Sequence, residues 1–156
     1  MDVETMASLG KIGGALALSL GALGSTLGVG AAGPAAVGSW KKCFAQNKAA
    51  PFVLVTFVGA PLSQTIYGMI LMNQINAKCV MPVMDASAVA NWPALLGIGA
   101  LGGIAMGTSA WIQGRIGAAA ADAMAETGKG FGNYLMALGI VETVALFVMV
   151  FIGGLL

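Results

Sequence analysis

The 156-residue chain has seven basic and six acidic side chains, 24 glycines and no histidine, and 58% of it is hydrophobic. Soluble domains carry roughly 25% charged residues, and a set this sparse cannot cover a soluble fold. A soluble enzyme, an extracellular disulfide module and a nucleic-acid binder are excluded, the last because the near-neutral chain has no basic patch. With two cysteines and no histidine, zinc and haem sites are disfavoured.

Charges punctuate the chain at long intervals. Lys11 and Lys41 bracket a first uncharged run, Lys48 and Lys78 a second, and Asp85 and Arg115 a third. After Lys129 only Glu142 interrupts a fourth. Crossing a bilayer takes roughly 20 apolar residues of helix, so spans are predicted at about 10–40, 50–77, 90–125 and 130–155. The expected fold is an all-α membrane protein of four transmembrane helices arranged as two tandem hairpins, 1–80 and 81–156. The first run is not read as a cleavable signal peptide, because Asp2 and Glu4 precede it and it is too long for an h-region.

In that first run Gly10, Gly14, Ala17, Gly21, Gly24, Gly28, Ala31, Ala35 and Gly38 form a stripe of small residues at alternating spacings of four and three. The third run repeats the pattern in Gly99, Gly103, Gly107, Ala110, Gly114, Gly117 and Ala121. Such stripes let helix backbones approach closely. The first and third helices are therefore expected to pack together, with the bulkier second and fourth facing lipid. Copies of such a double hairpin would tile a ring.

The predicted loops are Trp40–Phe52, Asn73–Trp92 and Glu126–Phe131. Lys41, Lys42, Lys48, Arg115 and Lys129 lie in or towards the first and third, against Lys11 and Lys78 on the other side. The positive-inside rule then puts loops 40–52 and 126–131 in the cytoplasm and both termini outside a cell membrane, with Trp40 and Trp92 as belt residues. Cys43 and Cys79 fall in successive loops on opposite faces, which excludes a disulfide between them. Asp85 reads as an outer-loop charge or helix cap, and Asp122 and Glu126 as solvated charges at the cytoplasmic end. Arg115 could snorkel to headgroups or line the inner ring surface, and is not assigned to a site.

The hairpins read as copies in one orientation. Ser25 pairs with Ser109, Gly30 with Gly114, Gly33 with Gly117 and Ala35–Ala36 with Ala119–Ala120; after a shift caused by the longer first loop, Gln64-Thr65 falls on Glu142-Thr143. Glu142 lies near mid-depth, where a charge costs on the order of 3 kcal/mol and marks function by default. Gln113 and Glu142 are equidistant from the Thr127-Gly128 turn, roughly 21 Å at 1.5 Å per residue. Gln64 shares their level through the repeat, Ser63 adjoins it, and Tyr67 lies one turn beyond Ser63. Pro61 has no N–H and frees a carbonyl there. One carboxylate, two amides, two hydroxyls and a carbonyl form an oxygen cage suited to a hard alkali cation. Two buried glutamines are more than a bare proton needs. No Gly-x-x-x-x-Gly-Lys motif is present, so the chain is not expected to bind or hydrolyse ATP.

Three stretches carry a resemblance: Ala60-Pro61-Leu62-Ser63-Gln64-Thr65-Ile66-Tyr67-Gly68, Ile112-Gln113-Gly114-Arg115-Ile116-Gly117-Ala118-Ala119-Ala120 and Val141-Glu142-Thr143. Together they resemble the rotor proteolipid (of the c or K type) of V-type rotary ATPases, in the four-helix form with one essential carboxylate and in its sodium-binding branch. The resemblance implies a homo-oligomeric ring in lipid, a stator membrane subunit of the a or I type, a central-stalk subunit, and ATP hydrolysis on other subunits. It further implies Na⁺ ligation by Glu142, Gln113, Gln64 and Ser63, a backbone oxygen from Ala60, and Tyr67 locking the glutamate. The same rotor carrying H⁺ stays open. A small proton-coupled multidrug transporter is the alternative from another class, although it would want aromatic residues around the carboxylate and only Tyr67 is near.

Overall fold

Asp2 starts the first helix. Its carboxylate accepts the Thr5 N–H at 2.8 Å, and hydrogen bonding to Thr5 holds the carboxyl below its ordinary range. In the computed structural model, which describes residues 1–79 and 89–156, helix α1 then runs over Val3–Ala45. The second span is α2 (Leu54–Gly59), a 3-10 turn (Ala60–Leu62) and α3 (Ser63–Ala77). It is interrupted because Pro61 has no N–H to return to the preceding turn. Helix α4 covers Trp92–Thr127. Gly128 and Gly130 follow at φ 65° and 87°, left-handed values that glycine adopts at no steric cost, and α5 (Phe131–Gly153) returns.

Among the described residues there is no strand, and four helices are long and apolar enough to cross a membrane. The fold is all-α and multi-pass, as the spacing of the charges predicted. At 1.5 Å per residue the 43-residue α1 is about 65 Å long and the 36-residue α4 about 54 Å, so both overreach a core of about 30 Å. Asp85 lies outside the described residues.

The α1–α4 pair forms the centre of the bundle, with backbone against backbone. A methyl group on Gly99 would meet Gly13, one on Gly24 would meet Gly107, and one on Gly114 would meet Gly28, each at main-chain atoms. The stripe expected on α4 is buried at every position. On α1 it is buried from Gly10 to Gly28 and then departs from expectation: the contact line continues through Ala32, Ala36, Ser39 and Cys43, not Ala31, Ala35 and Gly38. The expected spacing was that of a strict heptad, and a straight α-helix drifts from a 3.5-residue repeat by about 20° per heptad. Over a helix this long the drift moves the seam by a whole position.

Of the two bulky spans expected to face lipid, α5 is the more exposed, its buried residues being Leu138 and Ala145. The second span has two faces: Leu54, Phe57, Pro61, Gln64, Gly68, Leu71 and Ile75 are buried, while Val55, Leu62, Ile66 and Met69 are exposed. Its large side chains fill the groove left by the small ones of α1 and α4, and its own Gly68 lies against the main chain at Ala17 and Leu18.

The helices also run further than the predicted loops allowed. Residues 46–53 form the first connection and 128–130 the third, and α3 continues to Ala77. Cys43 therefore belongs to α1 and is not a loop residue; both cysteines are free and buried. Lys42 pairs with Glu126 across the ends of α1 and α4. Trp40 Nε1 donates to Pro51 O at 2.8 Å and ties the first connection to the bundle.

Candidate ion-binding site at mid-depth

Glu142 stands at the middle of α5, half-buried, on a helix otherwise free of charge. Its Oε1 accepts the Tyr67 hydroxyl of α3 at 2.8 Å. Its Oε2 lies 3.5 Å from Gln113 Nε2 of α4, which donates also to Leu138 O of α5 at 3.1 Å. Gln113 Oε1 in turn accepts from Gln64 Nε2 at 2.9 Å, and neither glutamine side chain reaches the surface. Ser63 Oγ stands within bonding distance of Gln64 Oε1, at 3.2 Å, and of Ala60 O, at 3.1 Å. Three helices converge in one hydrogen-bonded chain from Ala60 to Glu142.

The interrupted second span makes this convergence possible. The 3-10 turn ends at Leu62, and α3 starts with Ser63 and Gln64 aimed at the bundle, with Tyr67 one turn on. Pro61 is itself buried beside Gly28 of α1. The Ala60 carbonyl accepts both the N–H and the hydroxyl of Ser63. On either side of this level Gly114 and Gly117 let α4 sit close to Gly28 of α1 and to the Phe57 carbonyl.

The donors in this chain are amides and hydroxyls, and its acceptors are all oxygen. Around Glu142 Oε2, the long Gln113 contact is the one hydrogen bond made among the described residues. This is the oxygen that can take a proton or join Gln64 Oε1, Gln113 Oε1 and Ser63 Oγ around a hard cation. Among the described residues no group of three His, Cys, Asp or Glu side chains could hold a softer metal.

The structure thus gathers Glu142, Gln113, Gln64, Ser63, Tyr67 and the Ala60 carbonyl. Arg115 is apart from them, exposed on α4 with its guanidinium 5.8 Å from the centre of the Trp111 ring. Sequence reasoning missed Ser109, whose Oγ donates to Val141 O at 2.8 Å, immediately before the carboxylate. It also missed the first-hairpin counterpart, in which Thr65 Oγ1 donates to Ser25 Oγ at 2.8 Å. The pairing of Ser25 with Ser109 in the repeat was the available signal.

Residues 96–152 match the family model of the ATP synthase C subunit. Members of that family are non-catalytic, ion-translocating rotor proteins that assemble into rings, and ATP is hydrolysed on other subunits. The match covers the second hairpin, including Gln113 and Glu142; the residues contributed by the second span lie outside it. No curated protein matches the chain.

Proposed function

We propose, on the family match of the second hairpin, that the chain is a rotor-ring subunit of a V-type ATPase that carries Na⁺ on Glu142. The observation that carries the reading is the hydrogen-bonded chain ending on that carboxylate, since it supplies oxygens from three helices at one level. The duplicated hairpin with a mid-depth carboxylate in only one copy favours the V-type form. Gln64 stands at the place in the first hairpin that Glu142 holds in the second.

Glu142 is the charged ligand in this reading. Gln113, Gln64, Ser63 and the Ala60 carbonyl complete the oxygen set. Tyr67 holds the carboxylate in its closed position. Away from the stator the carboxylate must be neutralised to face lipid. At the stator, a basic side chain of an a- or I-type subunit favours the bare carboxylate and displaces the ion. Rotation of a homo-oligomeric ring, driven through a central stalk by ATP hydrolysis elsewhere, turns this exchange into transport. The connections 46–53 and 128–130 face the cytoplasm and the termini face outwards, following the lysine bias.

H⁺ as cargo is the second reading, favoured by the sparse bonding at Glu142 Oε2. Carbodiimide labelling of Glu142 separates the two. At constant pH, Na⁺ is expected to protect the carboxyl from labelling; dependence on pH alone, with no effect of Na⁺, would assign the proton. Tyr67→Phe removes one hydrogen bond and is expected to raise the Na⁺ needed for half-protection by roughly two- to tenfold, the worth of a single such bond. The solubilised mass tests the assembly: a large ring fits the rotor, a dimer the drug transporter.

A further inference from the structure

Hydroxyls in apolar helices usually bond back to their own main chain. Thr26, Thr108, Thr127 and Thr143 do so, donating to Ala22, Ile104, Ala123 and Ile140 respectively. Ser109 does not. Its side chain crosses from α4 to α5 and donates to Val141 O at 2.8 Å, from a site that is 5% exposed. One turn along α4, Gln113 donates to Leu138 O at 3.1 Å. Two side chains of one helix therefore grip the backbone of the other at carbonyls one turn apart, and Glu142 is the next residue.

Helix α5 has few other polar anchors. Among the described residues, the hydrogen bonds that reach it from other helices come from Ser109, Gln113 and Tyr67. The Gln113–Glu142 contact is already 3.5 Å long, so a small rotation of α5 would break it. The first hairpin offers an internal comparison. Ser25, the repeat partner of Ser109, bonds the Thr65 side chain beside Gln64, an amide that does not ionise. Only in the second hairpin does the serine hold the main chain of the helix that carries the carboxylate.

We propose that Ser109 is a positioning residue: its bond to Val141 O fixes the rotational setting of α5 that turns Glu142 towards Tyr67 and Gln113. This rests on the reading of Glu142 as the cation carrier. Loss of the bond lets α5 turn, opens the carboxylate and weakens its hold on the cation, while the site residues themselves stay unchanged.

The test is carbodiimide labelling of Glu142 in assembled rings in their native membrane, across Na⁺ concentration and pH, for the wild-type chain and Ser109→Ala, Ser109→Thr and Ser109→Cys. Ser109→Ala is expected to label roughly two- to tenfold faster, and to need Na⁺ higher by the same factor for half-protection, as the loss of one hydrogen bond dictates. Threonine restores the donor, and its methyl has room because Ser109 lines an open cavity of about 460 Å³ with Thr108, Ile112, Ile140 and Val144. Cysteine keeps the size of serine with a weak donor, and should fall between threonine and alanine. Wild-type labelling and protection in Ser109→Ala would overturn the inference. If that variant does not assemble, equal behaviour of the threonine and cysteine variants overturns it instead. A wild-type ring indifferent to both Na⁺ and pH overturns the carrier reading and this inference with it; protection in the wild type that Ser109→Ala leaves unmoved overturns the inference alone.

Discussion

Glu142→Gln is expected to abolish ion transport while rings still assemble. Glutamine keeps the shape of the side chain and an oxygen for the Tyr67 hydroxyl, now bonded at 2.8 Å, so packing around α5 is preserved. It cannot ionise, and the cycle proposed for this site alternates between a neutralised carboxylate in lipid and a bare one at the stator. Holding the bare form in lipid costs on the order of 3 kcal/mol, and that penalty prevents the ring from moving past the stator with an empty site. With a permanently neutral residue there is no charge to bind or release. Cation uptake into vesicles containing the whole complex, measured with the mass of the solubilised ring, checks both halves of the expectation. Transport at the wild-type rate would end the assignment of Glu142.

The second large effect concerns the α1–α4 seam. Gly24→Ala places a methyl group against the Gly107 backbone, where no side chain can move aside. The helices must separate along the seam, and the loss is expected to be about 3 kcal/mol or more, the upper end of overpacking costs. The position at Gly38 is open, with nothing within 4 Å of an added Cβ. Gly38→Ala is therefore expected to be neutral, or to stabilise α1 by up to about 1 kcal/mol through helix propensity. Thermal unfolding of the two variants in detergent compares them directly. Equal stability would show that α1 and α4 do not meet at their main chains.

Much of the fold is legible in the chain itself, because a bilayer constrains a sequence more tightly than water does. The intervals between Lys11, Lys41, Lys48, Lys78, Asp85, Arg115 and Lys129 are set by membrane thickness, and one helical span crosses each of them, with α1 and α4 running on past the charges that bound theirs. The seam on α4 is readable for a similar reason, since glycine is the residue that lets backbones touch. The α1 seam beyond Gly28 is not, because Ala31 and Ala32 are chemically alike and only the true helical period chooses between them. The burial of the second span is hidden as well. Bulky apolar residues are equally at home in lipid and against small neighbours, so composition does not say which side of α3 faces inwards.

The site divides in the same way. Glu142, Gln113 and Gln64 can be brought to one level by counting residues from a turn and by following the repeat, since depth along a helix is arithmetic. Direction around a helix axis is different. It depends on how several helices settle against one another, and a rotation of a few tens of degrees decides whether a hydroxyl bonds its own helix or the next one. For that reason Ser109 stands in the sequence only as a repeat marker, and the packing of α4 against α5 is what aims it at Val141 O. The sequence alone determined the membrane class, the number of spans and roughly where they lie, and a lone carboxylate level with two glutamines. The tertiary structure decided which oxygen meets which donor, because that choice depends on the rotational settings of α3, α4 and α5, which no single segment encodes.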